Sequence, residues 1–213
     1  MKETPLLFKA EMVKALLAGM KTQTRRIIKP QPTGWKQCQN FFEPYYWAWC
    51  VKNDQDWSQE RKCPYGWIGD HIWVKETWQP HPEAGSKDDD IFIPSNAIVY
   101  AADLSAEDFK LSRPWKSSMF MPRVASRIML EIIDIRVQCV QKISESDAIA
   151  EGLQIDNEGY YFVDTRAPQD RHYGKSAKKV YSVLWDEINF GRGYGWDFNP
   201  WVWVIEFKLM EKI

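Results

Sequence analysis

The octapeptide Gly19-Met20-Lys21-Thr22-Gln23-Thr24-Arg25-Arg26 puts a lysine three residues ahead of a threonine and follows them with two arginines. A neutral lysine is a base, a threonine hydroxyl is a nucleophile, and guanidinium groups stabilise an anion. Residues three apart on a regular strand point to opposite faces, so Lys21 and Thr24 converge only where the chain is bent. The run Glu11 to Ala18 has Met12, Leu16 and Leu17 apolar at helical spacing. Gly19 stands where a helix end takes up a positive φ. The spacing therefore predicts that Lys21 to Arg26 begin just past a helix and at a bend. The plain alternative is a solvated basic segment leading into a strand at Ile27-Ile28.

Around that segment the pattern predicts a mixed set of elements. Leu6-Leu7-Phe8 is a short strand before the helix. Residues 29 to 63 carry Pro, Gln, Asn and aromatics with no steady period and read as a long loop or insertion. Ile72, Val74 and Trp78 alternate with His71, Lys75 and Thr77, which predicts a strand over 71–78 that carries Trp73 and Glu76. Residues 79 to 94 read as a surface loop and 97 to 101 as another strand. From Ser126 to Val140 the β-branched and apolar residues predict a long strand, bulged where alternation slips at Ile132-Ile133. Ser144, with Asp147 three residues on, reads as the cap of a short helix over 145–151 that Gly152 stops. On that helix Ile149 and Leu153 make the apolar stripe, which puts Glu151 off the core face. Residues 154 to 175 read as a second polar insertion. Val180, Val183, Leu184 and Ile188 predict an amphipathic helix over 177–188, and Trp201 to Phe207 a closing strand. The order is an α+β mixture without βαβ rhythm, suited to a small mixed barrel with helices at its edges.

Bulk properties narrow the function. The chain has 213 residues, a net charge of −1 and a pI near 6.3, which argues against a protein that wraps duplex nucleic acid electrostatically. Basic residues are nonetheless local: Lys21, Arg25, Arg26 and Lys29 form one patch, and residues between Arg166 and Lys179 another. Twelve tryptophans exceed ordinary packing needs, and two or three are expected to line a ligand site. Four cysteines without paired spacing predict no disulfide framework. Cys38, Cys50, Cys63 and His71 are irregularly spaced for zinc, so no metal or other cofactor is expected. With no signal-like segment and no membrane-length apolar run, the chain reads as cytoplasmic and without a membrane partner.

Gly19-x-Lys21 leading to Arg26, the Gly69-Asp70 turn before a strand, and Trp203-Val204-Ile205-Glu206-Phe207 together resemble the ASCH domain family of the PUA-like barrel superfamily. The usual family pattern is G-x-K-x-x-E-x-R, and this chain has Thr24 at the glutamate position. The small bacterial amidohydrolases of that family, which deacetylate N(4)-acetylcytidine, carry G-x-K-T-x-T-x-R, as here. Their lysine and threonine match Lys21 and Thr24. Their later glutamate lies in a short helix after a long strand and matches Glu151 in Asp147-Ala148-Ile149-Ala150-Glu151-Gly152. The chain also resembles longer relatives found among phage and prophage genes. The resemblance implies a single PUA-like domain over residues 1–213 with insertions near 30–65, 79–120 and 154–176.

It also implies an amidohydrolase acting on an N-acylated pyrimidine nucleoside or base. Lys21, Thr24 and Glu151 would be catalytic, and Arg25, Arg26, Glu76 and Trp73 are candidates for substrate binding. Either Thr24 Oγ attacks the acyl carbonyl with neutral Lys21 as base, or water attacks with Glu151 as base and Thr24 as positioner. The rivals are a non-catalytic reader of RNA, or of single-stranded or modified nucleic acid, and a phage accessory protein that uses its aromatic loops for protein contacts.

Overall fold

A computed structural model describes residues 1–32, 62–80, 98–104, 114–163 and 172–210 with side chains, and the backbone of 35–39, 47–51 and 59–61. Strands β1 (Glu3–Leu7), β2 (Gln23–Ile27), β6 (His71–Lys75), β9 (Met129–Cys139) and β13 (Trp201–Leu209) form one sheet in the order β1-β6-β9-β13-β2. Only β1 and β6 pair in parallel. Among the described residues three α-helices flank it: α1 (Ala10–Leu17), α2 (Glu145–Ala150) and α3 (Ala177–Asn189).

β13 lies inside the sheet and is buried on both faces, which is why its sequence is apolar almost without interruption. Trp203, Ile205 and Phe207 join a core with Val13 and Leu16 of α1, whereas Val202 and Val204 join a second core with Val180 and Leu184 of α3. The sheet is thus a partition between two cores. β9 meets the first core with Leu130 and Ile132, then with Ile135 and Val137, a change of parity that a regular strand cannot make. The ladder supplies the missing residue. Phe207 pairs with Ile132 and Glu206 with Asp134, so Ile133 is the bulged residue, and its side chain is 46% exposed.

A closed barrel was expected, but among the described strands the ladder is open, with β1 and β2 as its edges. Side chains occupy the gap where a β1–β2 ladder would run. The Arg26 guanidinium donates to the Leu7 carbonyl at 2.8 Å and lies 5.3 Å over the Phe8 ring. Phe8 in turn meets Phe207 edge-on at 6.3 Å.

Other expectations shift as well. The segment read as a loop over 29–63 contains β3 (Trp35–Gln39), β4 (Trp47–Val51) and β5 (Gln59–Arg61), an antiparallel sheet whose mixed polar and aromatic residues carry no period-two signal. The strand expected over 71–78 breaks into β6 and β7 (Trp78–Pro80), and β7 pairs with β8 (Ile98–Tyr100). The second polar insertion holds three short paired strands, β10 (Gln154–Ile155), β11 (Tyr161–Phe162) and β12 (Tyr173–Gly174). Most of the expected insertion over 79–120 lies outside the described residues. No helix among the described residues is long and apolar enough to cross a membrane.

Candidate functional site

Lys21 is positioned by the end of α1. Gly19 adopts φ +71°, and the amides of Met20 and Lys21 both donate to the Ala15 carbonyl at 2.9 and 3.1 Å. This left-handed exit turns the chain across the end of α2, where Lys21 and Glu151 form an isolated antiparallel bridge and the Thr22 amide donates to Ala150 O at 2.9 Å. On the other side of the bridge, the Ser144 hydroxyl caps α2 by accepting from the Asp147 amide at 3.0 Å. Gly152 follows at φ +104°. A Cβ there would lie 3.1 Å from Ala15 Cβ and 3.3 Å from Lys21 Cβ, so the backbone angle favours glycine and a side chain would press on both neighbours.

The side chains that meet at this junction are nearly all buried. Lys21, Thr24, Arg25 and Glu151 are 3%, 4%, 4% and 6% exposed. The Lys21 ammonium donates to Glu151 Oε2 at 2.9 Å, to Glu151 O at 2.7 Å and to Gln23 O at 2.9 Å. Those three bonds use all of its protons, and none goes to Thr24. Arg25 donates to Glu151 Oε1 at 3.0 Å with Nη1 and to Asp147 Oδ2 at 3.0 Å with Nη2. Asp147 also accepts from Arg136 at 3.0 Å, and Arg136 donates in turn to Gln23 and Glu206. Burial alone would raise the Asp147 pKa, but Arg25 and Arg136 hold its carboxyl below the usual aspartate range. For Lys21, burial lowers the ammonium pKa and the attraction of Glu151 offsets only part of that.

A cavity of about 590 Å³ runs along the outer edge of β2. Thr24 and Glu151 are both in its wall, and Lys21 sits behind Glu151 rather than in the wall. Tyr181 and Trp185 of α3 form one side, and Tyr65 and Trp203 form another. Burial and the nearby Glu151 keep the Tyr181 phenol protonated far above its ordinary range. Thr22 O and Ile28 N bond to β13. With the two-residue alternation of an antiparallel ladder, Thr24 and Arg26 also face β13, and the main-chain groups of Arg25 and Ile27 face the open edge. The cavity therefore offers a carboxylate, a hydroxyl, edge-strand amides and aromatic rings, a suitable lining for a flat polar ligand.

Of the residues singled out in the sequence, the fold brings Lys21, Thr24, Arg25, Arg26 and Glu151 to this junction. It does not bring Glu76 or Trp73 there. Glu76 is buried elsewhere, in a two-point ion pair with Arg127 at 2.9 and 3.1 Å, and Arg127 lies 3.9 Å over the Tyr100 ring. Trp73 lies beneath Lys75 and Arg123. Glu76 follows the end of β6 and Trp73 points to its other face, so neither lines this cavity. Sequence reasoning missed Asp147, Tyr181, Trp185 and Arg192. The signal available was the i, i+4, i+11 stripe of Tyr181, Trp185 and Arg192 along α3 and its exit, hidden because Val180 and Leu184 dominate the apolar pattern.

Cys63 is buried and its thiol is pushed up to about 11 by burial, while Cys38 and Cys50 lie outside the residues described with side chains. Among the described residues, no group of three or more His, Cys, Asp or Glu is arranged to hold a metal ion. Set against family models, curated proteins and solved structures, the chain matches none of them.

Proposed function

We propose that the chain is an amidohydrolase that removes the acyl group from an N-acylated pyrimidine nucleoside or base, as its resemblance to the N(4)-acetylcytidine amidohydrolases of the PUA-like ASCH family implies. The observation that carries this reading is the 2.9 Å ion pair of Lys21 with Glu151 behind a cavity wall that holds both the Glu151 carboxylate and Thr24. The hydrogen bonding favours water over Thr24 as nucleophile. With all three ammonium protons donated, Lys21 has no lone pair to take the Thr24 proton. Each Glu151 oxygen receives one cationic donor and keeps further acceptor capacity toward the cavity.

In this mechanism Glu151 takes a proton from water as the water oxygen bonds to the acyl carbon. Thr24 holds the water or the amide in place. Arg26, which is among the residues lining the cavity, stabilises the oxyanion. The protonated Glu151 then returns its proton to the exocyclic nitrogen, the C–N bond breaks, and the amine and the carboxylic acid leave, the acid then losing its remaining proton to solvent. Lys21 and Arg25, bonded to the two carboxylate oxygens, fix the orientation of Glu151 between these steps.

The test is release of acetate from N(4)-acetylcytidine. Glu151→Gln should abolish it, and Thr24→Ala should lower kcat by about a hundredfold. Acetate release by Glu151→Gln at the rate of the unaltered protein would overturn the reading. A second reading has its own support: both Glu151 oxygens are clamped by buried cations, as in a structural brace beneath a binding cleft for modified or single-stranded nucleic acid. Tight ligand binding with no acyl product from the unaltered protein would favour that reader.

A further inference from the structure

α3 brings a tyrosine to the part of the cavity where Glu151 stands. Tyr181 is 4% exposed and lines the cavity. Its ring is tilted against Trp185 at 6.2 Å and meets Trp196 edge-on at 6.3 Å. The Arg25 guanidinium carbon lies 5.9 Å from the ring centre, and Arg25 Nη1 in turn donates to Glu151 Oε1 at 3.0 Å. One buried guanidinium thus joins the tyrosine to the carboxylate. Tyr65, also in the cavity wall, has Arg26 and Cys63 as its ionisable neighbours and not Glu151.

The ring contacts account for an aromatic residue at 181 but not for its oxygen. Tyr181 Oη takes part in no hydrogen bond among the described residues. The unpaired side-chain polar atoms sealed from solvent include Nε of Arg25 and of Arg26 but not Tyr181 Oη, so the hydroxyl opens onto the cavity that the residue lines. Burial, and after it the charge of Glu151, keeps the phenol protonated, so it faces a ligand as a donor. Arg26 by itself is an incomplete oxyanion site. Its Nη2 is taken by the Leu7 carbonyl at 2.8 Å and its Nε is sealed away, which leaves Nη1. We propose that Tyr181 is a further catalytic residue, whose hydroxyl donates to the acyl carbonyl oxygen of the ligand and to the oxyanion that this oxygen becomes. As water adds to the acyl carbon, the carbonyl π pair moves onto that oxygen; as the C–N bond breaks, the pair returns and the carbonyl re-forms. The phenol keeps its own proton throughout, because Glu151 carries out the proton transfers. The catalytic half of the proposal rests on the amidohydrolase reading, whereas the contact with an acyl carbonyl does not require that the acyl group be cleaved.

Tyr181→Phe removes the oxygen and keeps the ring, so it tests the hydroxyl directly in the whole chain. Its urea midpoint should be no lower than that of the unaltered protein, since no protein hydrogen bond is lost. With N(4)-acetylcytidine, kcat should fall by about a hundredfold while KM changes little, the mark of a donor that works mainly in the transition state. Calorimetric titration reads the contact without turnover. N(4)-methoxycarbonylcytidine, a carbamate that resists hydrolysis, is compared with N(4)-propylcytidine, which lacks the carbonyl oxygen. The unaltered protein should bind the carbamate about tenfold tighter, and in Tyr181→Phe that ratio should approach one. A kcat for acetate release unchanged in Tyr181→Phe would overturn the proposal and leave the hydrolase reading standing. A carbamate preference that survives the substitution, equal binding of the two ligands by the unaltered protein, or binding of neither would also overturn it. If the unaltered protein yields no acetate but its carbamate preference is lost in Tyr181→Phe, the hydrolase reading fails and the carbonyl contact stands.

Discussion

Lys21 holds Glu151 at two points, by the main-chain carbonyl at 2.7 Å and by the carboxylate at 2.9 Å. The lysine therefore fixes both where the C-terminal end of α2 lies and where its carboxylate points. Arg25 takes the other carboxylate oxygen, so one acid balances two buried cations, with Asp147 sharing Arg25. Removing a member of such a group costs stability mainly through the charge it strands.

Glu151→Gln strands the more. It leaves the Lys21 ammonium buried beside carbonyls alone and Arg25 with Asp147 only, so the loss should be on the order of 3–5 kcal/mol. Lys21→Met leaves Glu151 still paired with Arg25 and should cost clearly less. Combining the two substitutions should recover part of the Glu151→Gln loss, because the stranded ammonium is then gone. Urea unfolding of the three variants measures this. A Lys21→Met loss equal to or larger than that of Glu151→Gln would show that the charge balance is misassigned.

Gly152 tests how closely α1, Lys21 and α2 must pack. Gly152→Ala adds a methyl 3.1 Å from Ala15 Cβ and 3.3 Å from Lys21 Cβ at φ +104°. Strain of about 1–3 kcal/mol is expected from the backbone, and the Lys21 side chain must also shift. Gly159→Ala is the matched control, since Gly159 has φ +81° but open space around its Cβ position. The prediction is that Gly159→Ala loses stability only, whereas Gly152→Ala also loses acetate release beyond what its lower stability explains. Equal behaviour of the two variants in both assays would mean that Lys21 does not need its place.

The sequence made some of this legible and hid the rest for identifiable reasons. Lys21, Thr24 and Arg25 stood out because chemically active side chains crowd a segment next to Gly19, and the chain does turn there at φ +71°, although the Lys21 ammonium bonds go to Gln23 and Glu151 and not to Thr24. The Ile132-Ile133 slip marked a real bulge because one core meets Leu130 and Ile132 and then Ile135 and Val137, which a regular strand cannot present on a single face. Glu151 could not be placed by helical phase, because α2 ends at Ala150 and the chain then turns through Gly152, so the wheel stops applying at the residue that matters. Only the family resemblance pointed to it. The β3-β4-β5 sheet was illegible because its residues lack alternation, and the open ladder was illegible because strand pairing between distant segments leaves no local signal.

The pH dependence of Lys21 separates the two mechanisms. Its ammonium pKa is lowered by burial from the ordinary lysine value of about 10.4, despite the opposing pull of Glu151. Between the folded and the unfolded pKa the unfolded chain holds more protons, so stability should rise with pH across that window and level off above the unfolded value. Lys21→Met removes this contribution. The urea midpoint of the unaltered protein should therefore climb relative to Lys21→Met as pH increases through the alkaline range. A constant difference, or a fall, would show that the ammonium is not disfavoured by folding. Kinetics then assigns the base. If Glu151 acts while Lys21 stays charged, kcat for acetate release falls as Lys21 deprotonates, because the carboxylate loses the partner that holds it. If neutral Lys21 activates Thr24, kcat rises across the same window and Thr24→Ser retains activity. The hydrogen bonds of Lys21 to three acceptors predict the falling limb.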